Sequence, residues 1–263
     1  MKLWSHFTKV VSVSALLAVS VVAPALNAWA AGPAIDADAR TVLAATSSYL
    51  ANLKNFSVDY STVDEVVTAE GQKLQFLHSG EIIVERPDKL YATRNGAAGA
   101  AEVFLDGKTL TLFSKAANVY VKLAASNIDQ AIAAVHKLGF DAPGADLLAA
   151  NPLNVSTTDI TSGAHIGMTY IDGIEVHQLA FRGAGVDWQL WVMAGDKPLP
   201  LRYVITTKSL SGAPQYTLQL KNWNTTPQTS AARFAFTPPS GAKQLAPAAV
   251  TANAIGDLTI KGK

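Results

Sequence analysis

The side chains in this sequence best placed to do chemistry are His165, His177 and Asp172. Asp172-Gly173 is a tight-turn signal between two apolar-rich arms, so the histidines fall on opposite arms of one hairpin, nearly equidistant from its turn. Their rings are expected to face each other. Zinc usually takes three or four convergent ligands, and this hairpin supplies two. His177 also shares a strand face with Leu179 and Phe181, which is the pattern of a semi-buried core residue. Nucleophilic catalysis finds no support, because the chain has no cysteine and no Gly-x-Ser-x-Gly elbow. The adjacent carboxylates Asp64-Glu65 lie near an expected turn and read as solvated surface; Arg86 and Asp88 read as fixing a strand end. The expectation is a non-enzyme without cofactor or metal.

Apolar chemistry is better represented. Phe56, Tyr60, Leu74, Phe76, Phe104, Leu112, Trp188, Leu190, Tyr203 and Leu218 occupy alternating positions of expected strands and are candidates for the concave face of a curved sheet. Alternation by itself does not separate a filled core from an open groove. Asp187-Trp188-Gln189-Leu190-Trp191 places large aromatics on both faces of one strand. Trp191 then stands at a lip or contact surface, or lies under a helix or the C-terminal tail, and the second arrangement is the favoured expectation.

These residues need elements to hold them. Ala39, Val42, Leu43, Thr46, Tyr49, Leu50 and Leu53 recur at helical spacing and predict an amphipathic helix over 36–53, with Asp36 and Asp38 in its first turn. Strands follow. Arg86-Pro87-Asp88 ends a β-branched run, since proline removes a ladder donor, and Asp106-Gly107 predicts a hairpin. A helix over 127–138 ends at Gly139, and a shorter one opens at Pro143. Strands resume near Val155 and continue to a final one holding Phe234 and Phe236, with a last strand at 258–260 as an option. The fold class expected is mainly β (α+β), with about ten or eleven antiparallel strands in one sheet.

At the N-terminus Lys2, His6 and Lys9 precede an apolar stretch, and Ala28-Trp29-Ala30 offers small residues at the positions a signal peptidase reads. A cleavable signal over 1–30, cut after Ala30, is favoured over an uncleaved anchor, because a spanning helix needs about twenty apolar residues. Residues 31–240 then form one domain and 241–263 a loosely attached tail. The lack of cysteine excludes disulfides and a lipidated cysteine at the cleavage site. Residues 1–30 carry two lysines and no acids, so 19 basic and 20 acidic residues remain beyond them. That balance excludes the concentrated basic charge nucleic acid requires.

Two phrases carry a resemblance. Gly80-Glu81-Ile82-Ile83-Val84-Glu85-Arg86-Pro87-Asp88-Lys89-Leu90 and Asp106-Gly107-Lys108-Thr109-Leu110-Thr111-Leu112-Phe113 resemble the LolA/LolB superfamily of periplasmic lipoprotein carriers. The resemblance is closer to a family of predicted periplasmic proteins of unknown function in that superfamily. It is carried by the stretches at 49–58, 172–182, 187–191, 198–206, 214–216 and 236–239. It implies a LolA-like half-open barrel wrapped around helices, with the helices near 36–53 and 127–148 as plug or lid. It further implies a periplasmic monomer holding an acyl chain or lipid and meeting a membrane or envelope protein partner. The alternative is an envelope sensor or interaction module with the same fold and a filled core.

Overall fold

The computed structural model describes residues 35–97, 99–140, 142–153 and 160–250, so the signal over 1–30, the resumption at Val155 and a strand at 258–260 lie outside the described residues. The chain begins with α1 (Ala37–Asn52) and then lays down β1 (Asn55–Val67), β2 (Lys73–Glu85), β3 (Lys89–Gly96), β4 (Gly99–Asp106), β5 (Thr109–Ser114) and β6 (Val119–Ala124) as a meander. Helix α2 (Ile128–Lys137) and a short 3-10 turn at Ala145–Leu147 interrupt it. A second meander follows: β7 (Ile160–Ile171), β8 (Ile174–Gly183), β9 (Val186–Met193), β10 (Pro200–Thr207) and β11 (Gln215–Asn224). The chain closes with α3 (Ala231–Phe234) and β12 (Lys243–Gln244).

The twelve strands among the described residues belong to one unclosed sheet, ordered β12-β6-β5-β4-β3-β2-β1-β11-β10-β9-β8-β7. The two meanders join where β1 pairs with β11, and β2 begins the first meander from the other side of β1. Among the described residues ten of the eleven strand pairings are antiparallel, and β12 pairs in parallel with β6 through Lys243–Val119 and Gln244–Tyr120. The sheet is therefore the curved, half-barrel layout expected from the sequence.

Local chemistry explains the boundaries. Asp36 caps α1 by accepting from Ala39 N at 2.6 Å, and its second carboxylate oxygen accepts from His165 N at 2.7 Å, which ties the helix to β7. Asn127 caps α2 through Gln130 N. The Arg86-Pro87 bond between β2 and β3 is cis. Asp106 Oδ1 accepts from the backbone N–H groups of Lys108 and Thr109 and closes the β4–β5 turn.

Strand pleating sorts residues onto two faces. The concave face packs on α1, α2, Phe140 and residues 142–153 in one large core that includes Phe56, Val84, Leu112, Leu190 and Leu218. The convex face of β3–β6 has its own cover. Fully buried Phe234 packs against Ile83, Tyr91 and Phe104, while Phe236 meets Phe104, Phe113 and Tyr120 at centroid distances of 5.3, 5.3 and 5.0 Å.

Two expectations are corrected here. Phe234 and Phe236 do not form a strand. Phe234 ends the four-residue α3, and both rings cap the outside of the sheet. Nor is the stretch after Gly241 loose throughout: Lys243 N donates to Asn118 O and Leu245 N to Tyr120 O, and Val250 packs on the main core.

Candidate functional site

Between the concave face and α2 the interior is not filled. A cavity of about 220 Å³ is lined on the sheet side by Ile82, Leu90, Val103, Leu110, Leu112 and Leu218, and on the helix side by Ile128, Ala131, Ile132 and Val135. A second cavity of about 680 Å³ lies against the other meander, lined by Trp188, Tyr203 and Ile205 together with Ala133, His136 and Asp146. Ile132 and residues 142–145 line both. This short segment is a partition between two chambers. Its Gly144 has φ +84, and a Cβ there would press on a Leu218 methyl at 2.7 Å, so the partition can sit this close only with glycine.

The partition is fastened at three points. Arg86, at the end of β2, donates from Nη1 to the carbonyls of Leu148 at 2.6 Å and Ala149 at 3.0 Å. Asp129 of α2 accepts from Ala150 N at 3.0 Å, and Ser47 of α1 donates to Pro152 O at 2.7 Å. Burial lowers the Arg86 pKa from its ordinary value, with Asp129 opposing the shift. The reading of Arg86 as fixing a strand end is thus incomplete, since its guanidinium also holds the segment that crosses the concave face.

One end of the smaller cavity is polar. Tyr60, Thr62, Arg94 and Tyr216 line it, and Asp64 and His78 stand behind them. His78 Nδ1 lies 3.0 Å from Asp64 Oδ2 and 3.5 Å from Thr62 Oγ1; Arg94 Nη2 lies 3.6 Å from the same Asp64 oxygen. The Asp64 and Arg94 side chains are each 14% exposed. Burial and the Arg94 charge push His78 down to about 4, so at neutral pH its ring is neutral beside the Asp64 carboxylate. Burial raises Tyr60 to about 12, and its hydroxyl donates to Thr93 O at 2.7 Å. Tyr216 is raised as well, by burial first and by Asp64 next. Gly80 and Gly96 make room for this cluster: a Cβ on the first would collide with the Thr93 carbonyl and the Tyr60 ring, and on the second with the His78 ring.

The ten apolar candidates separate into four groups. Tyr60, Leu112 and Leu218 line the smaller cavity and Trp188 and Tyr203 the larger. Phe56 and Leu190 are fully buried in the main core, with the Phe56 ring tilted against that of Trp223 at 5.5 Å. Leu74, 38% exposed, and half-buried Phe76 share the concave register with Ile82 but sit near the 68–72 turn. Phe104 points the other way. Val103 and Leu105 belong to the concave core, so the pleat turns Phe104 onto the convex face with Tyr91 and Phe236.

Asp64 is likewise inside a partly buried cluster rather than on solvated surface, because β1 runs on to Val67 before turning. Trp191 is half-buried, and the Arg202 guanidinium lies over it, 5.6 Å from the ring centroid. His165 and His177 do meet, with Nε2 and Nδ1 3.1 Å apart, across a bulge that shifts the β7–β8 register after His165. Burial and His165 lower His177. Among the described residues no group of three metal-ligating side chains converges there or elsewhere.

Sequence reasoning missed Ile82, Leu90, Val103 and the Asp64–His78–Arg94 cluster. The signal was present in part: Leu90, Ala92 and Arg94 alternate on one face, with the charge as the last of the three.

Several solved structures are similar to this chain. Lipoprotein LppX from Mycobacterium tuberculosis is 12% identical, over 74% of this chain and 100% of that one, with a TM-score of 0.49. LprF from Mycobacterium bovis is 16% identical, over 81% of this chain and 100% of that one, at 0.48. A LolA superfamily protein from Nitrosomonas europaea is 12% identical, over 75% and 97%, at 0.41. No curated protein sequence matches the chain. Among the described residues no helix is long and apolar enough to cross a membrane. Residues 39–246, from the first turn of α1 to just past β12, match the family described as predicted periplasmic protein (DUF2092), and the chain belongs to that family.

Proposed function

We propose that this protein is a periplasmic, non-enzymatic binding protein that holds the acyl chain of a lipid or lipoprotein between the concave face of its half-barrel and α2. The observation that carries this reading is the pair of largely apolar chambers that share Ile132 and residues 142–145 as lining. Such volume is uncommon in a protein interior, where side chains normally pack to crystal-like density. Burying an acyl chain there gains about 0.8 kcal/mol per methylene, and binding itself needs neither nucleotide nor metal.

The fastenings suggest how a longer chain is admitted. The partition is held by hydrogen bonds to its backbone and by few large side chains of its own, Leu147 and Leu148 being the chief ones. Releasing Arg86 from the carbonyls of Leu148 and Ala149 would let 142–149 swing away, and the two chambers would become one groove across the β1–β11 seam. Loading and unloading then become a matter of moving this segment, which a membrane or envelope protein partner could drive.

The test is native mass spectrometry, with lipid extraction, on protein purified from the periplasmic fraction. One acyl species per chain is expected. A bare mass together with no uptake of Nile red or added lipid overturns the proposal.

A second reading, an interaction module, draws on a different observation. The β7–β8 hairpin is one end of the sheet and exposes Ile166, Met168, Tyr170 and Ile174, with Tyr170 67% exposed. A protein that captures the purified chain through this hairpin, without change on lipid loading, would favour it.

A further inference from the structure

The β7–β8 hairpin carries chemistry that neither chamber uses. Counted from the Asp172-Gly173 turn, its register runs unbroken from Ile171–Ile174 to Gly167–Gln178 and then slips by one residue at Ile166. Without the slip His165 would stand opposite Ala180 and point to the convex face. With it, His165 stands opposite Leu179, on the face that carries His177, Leu179 and Phe181. The slip turns His165 toward His177, and Nε2 of the first lies 3.1 Å from Nδ1 of the second. Re-aiming a side chain at a functional site is a recurrent use of such bulges. Asp36 steadies His165 from the α1 end by accepting from its backbone N–H at 2.7 Å. Directly opposite His177 in the ladder, and hence on the same face, stands Met168, 45% exposed.

A neutral imidazole carries its proton on either nitrogen. Moving one proton to the far nitrogen of its own ring therefore frees both facing lone pairs without adding charge. With metal–nitrogen bonds of about 2 Å and a trigonal angle, the two nitrogens would sit about 3.5 Å apart, a few tenths of an ångström more than they do. The donor set then decides the metal. Among the described residues no third His, and no Cys, Asp or Glu, completes a group with this pair, which leaves zinc short of its usual three or four ligands. Copper(I) carries a single charge, accepts two or three ligands, and takes thioether sulfur beside imidazole nitrogen. The unbranched Met168 side chain can turn its sulfur onto the open side of such an ion. We infer that His165, His177 and Met168 form a copper(I) site on the concave face of this hairpin, with the imidazoles as the strong ligands and the thioether as a weaker third. None of the three lines either chamber, so the inference is independent of the acyl-binding reading.

The experiment is titration of the purified protein with copper(I), supplied as its acetonitrile complex without oxygen, and separately with zinc(II). Affinity is read by chelator competition, stoichiometry by native mass spectrometry, and the ligands by NMR of methyl-labelled methionine and of the histidine rings. One copper(I) per chain is expected, bound at least tenfold more tightly than zinc(II), with the Met168 methyl signal and both ring signals shifted. His177→Asn, which removes one imidazole, should weaken copper(I) at least tenfold, and its melting curve reports whether the hairpin folds. Met168→Leu, a volume-conserving change at a partly exposed position, is the backup and should weaken copper(I) several-fold while leaving zinc(II) unchanged. Absence of copper(I) binding, or binding that neither variant alters, overturns the site. Tighter binding of zinc(II) than of copper(I) overturns the assignment of the metal.

Discussion

Strands β3, β4 and β5 present two apolar faces, and the protein treats them in opposite ways. On the convex side Phe234 and Phe236 come from far along the chain and fill the surface between Tyr91, Phe104 and Phe113 with edge and tilted aromatic contacts. On the concave side Leu90, Val103, Leu110 and Leu112 face α2 across a void. Both faces are built of similar residues on the same strands. What differs is the element that covers them: short aromatic caps that seat fully on one side, and a helix lined by Ala131 and held off the sheet on the other. Filling is a property of the cover, and the strand pattern does not contain it.

The largest expected effect tests the filled side. Phe234→Ala removes a fully buried ring and should cost about 3–5 kcal/mol in stability, measured by urea unfolding, while leaving dye uptake by the concave cavity unchanged. A loss of dye binding at full stability would mean the two faces are not independent. Next comes the fastening of the cover. Arg86→Ala deletes two charge-assisted hydrogen bonds to the 148–149 carbonyls and should cost about 2–3 kcal/mol, with a several-fold rise in dye release rate by stopped flow. An unchanged rate would show that the partition does not limit exchange.

A gentler change reverses the comparison. Ala131→Leu puts extra methyl groups into the concave cavity, so it should alter stability by less than about 1 kcal/mol while weakening dye and lipid binding at least tenfold. A destabilisation of about 2 kcal/mol or more would show that the space is not available. The smallest effect is in pH. The unfolded chain protonates His78 near 6.5 and the folded protein only near 4, so this group withdraws stability as pH falls from about 6.5 to 4 and has no further effect below. His78→Asn keeps a polar side chain beside Asp64 and does not titrate; its melting temperature should fall less steeply across that window. Parallel pH profiles would assign the acid sensitivity elsewhere.

The sequence was legible where chemistry is local. Asp106-Gly107, Asp172-Gly173 and Arg86-Pro87 mark real turns, Asp36 caps a real helix, and the apolar stripe of α1 from Ala39 to Leu50 is buried as spaced. The candidate site was legible only in part, for reasons that are equally physical. Phe104 reads as a concave residue until the phase of its strand is fixed by Val103 and Leu105, which pack on the main core. Asp64, His78 and Arg94 come from three strands and look like ordinary surface charges one at a time. Only the β1–β2–β3 register brings them together. Phe236 reaches Phe104 and Tyr120 over more than a hundred residues, a contact that no local pattern announces.

The partition at Ile132 and residues 142–145 has one more consequence, which concerns volume. A fold with two half-open apolar chambers leaves wall that no side chain packs against, and hydrostatic pressure favours whichever state eliminates such poorly packed volume. The empty protein should therefore yield to pressure more readily than a solid sandwich of the same length. A guest chain that fills the chambers would take away part of that susceptibility, so compressibility distinguishes the loaded molecule from the empty one without any label.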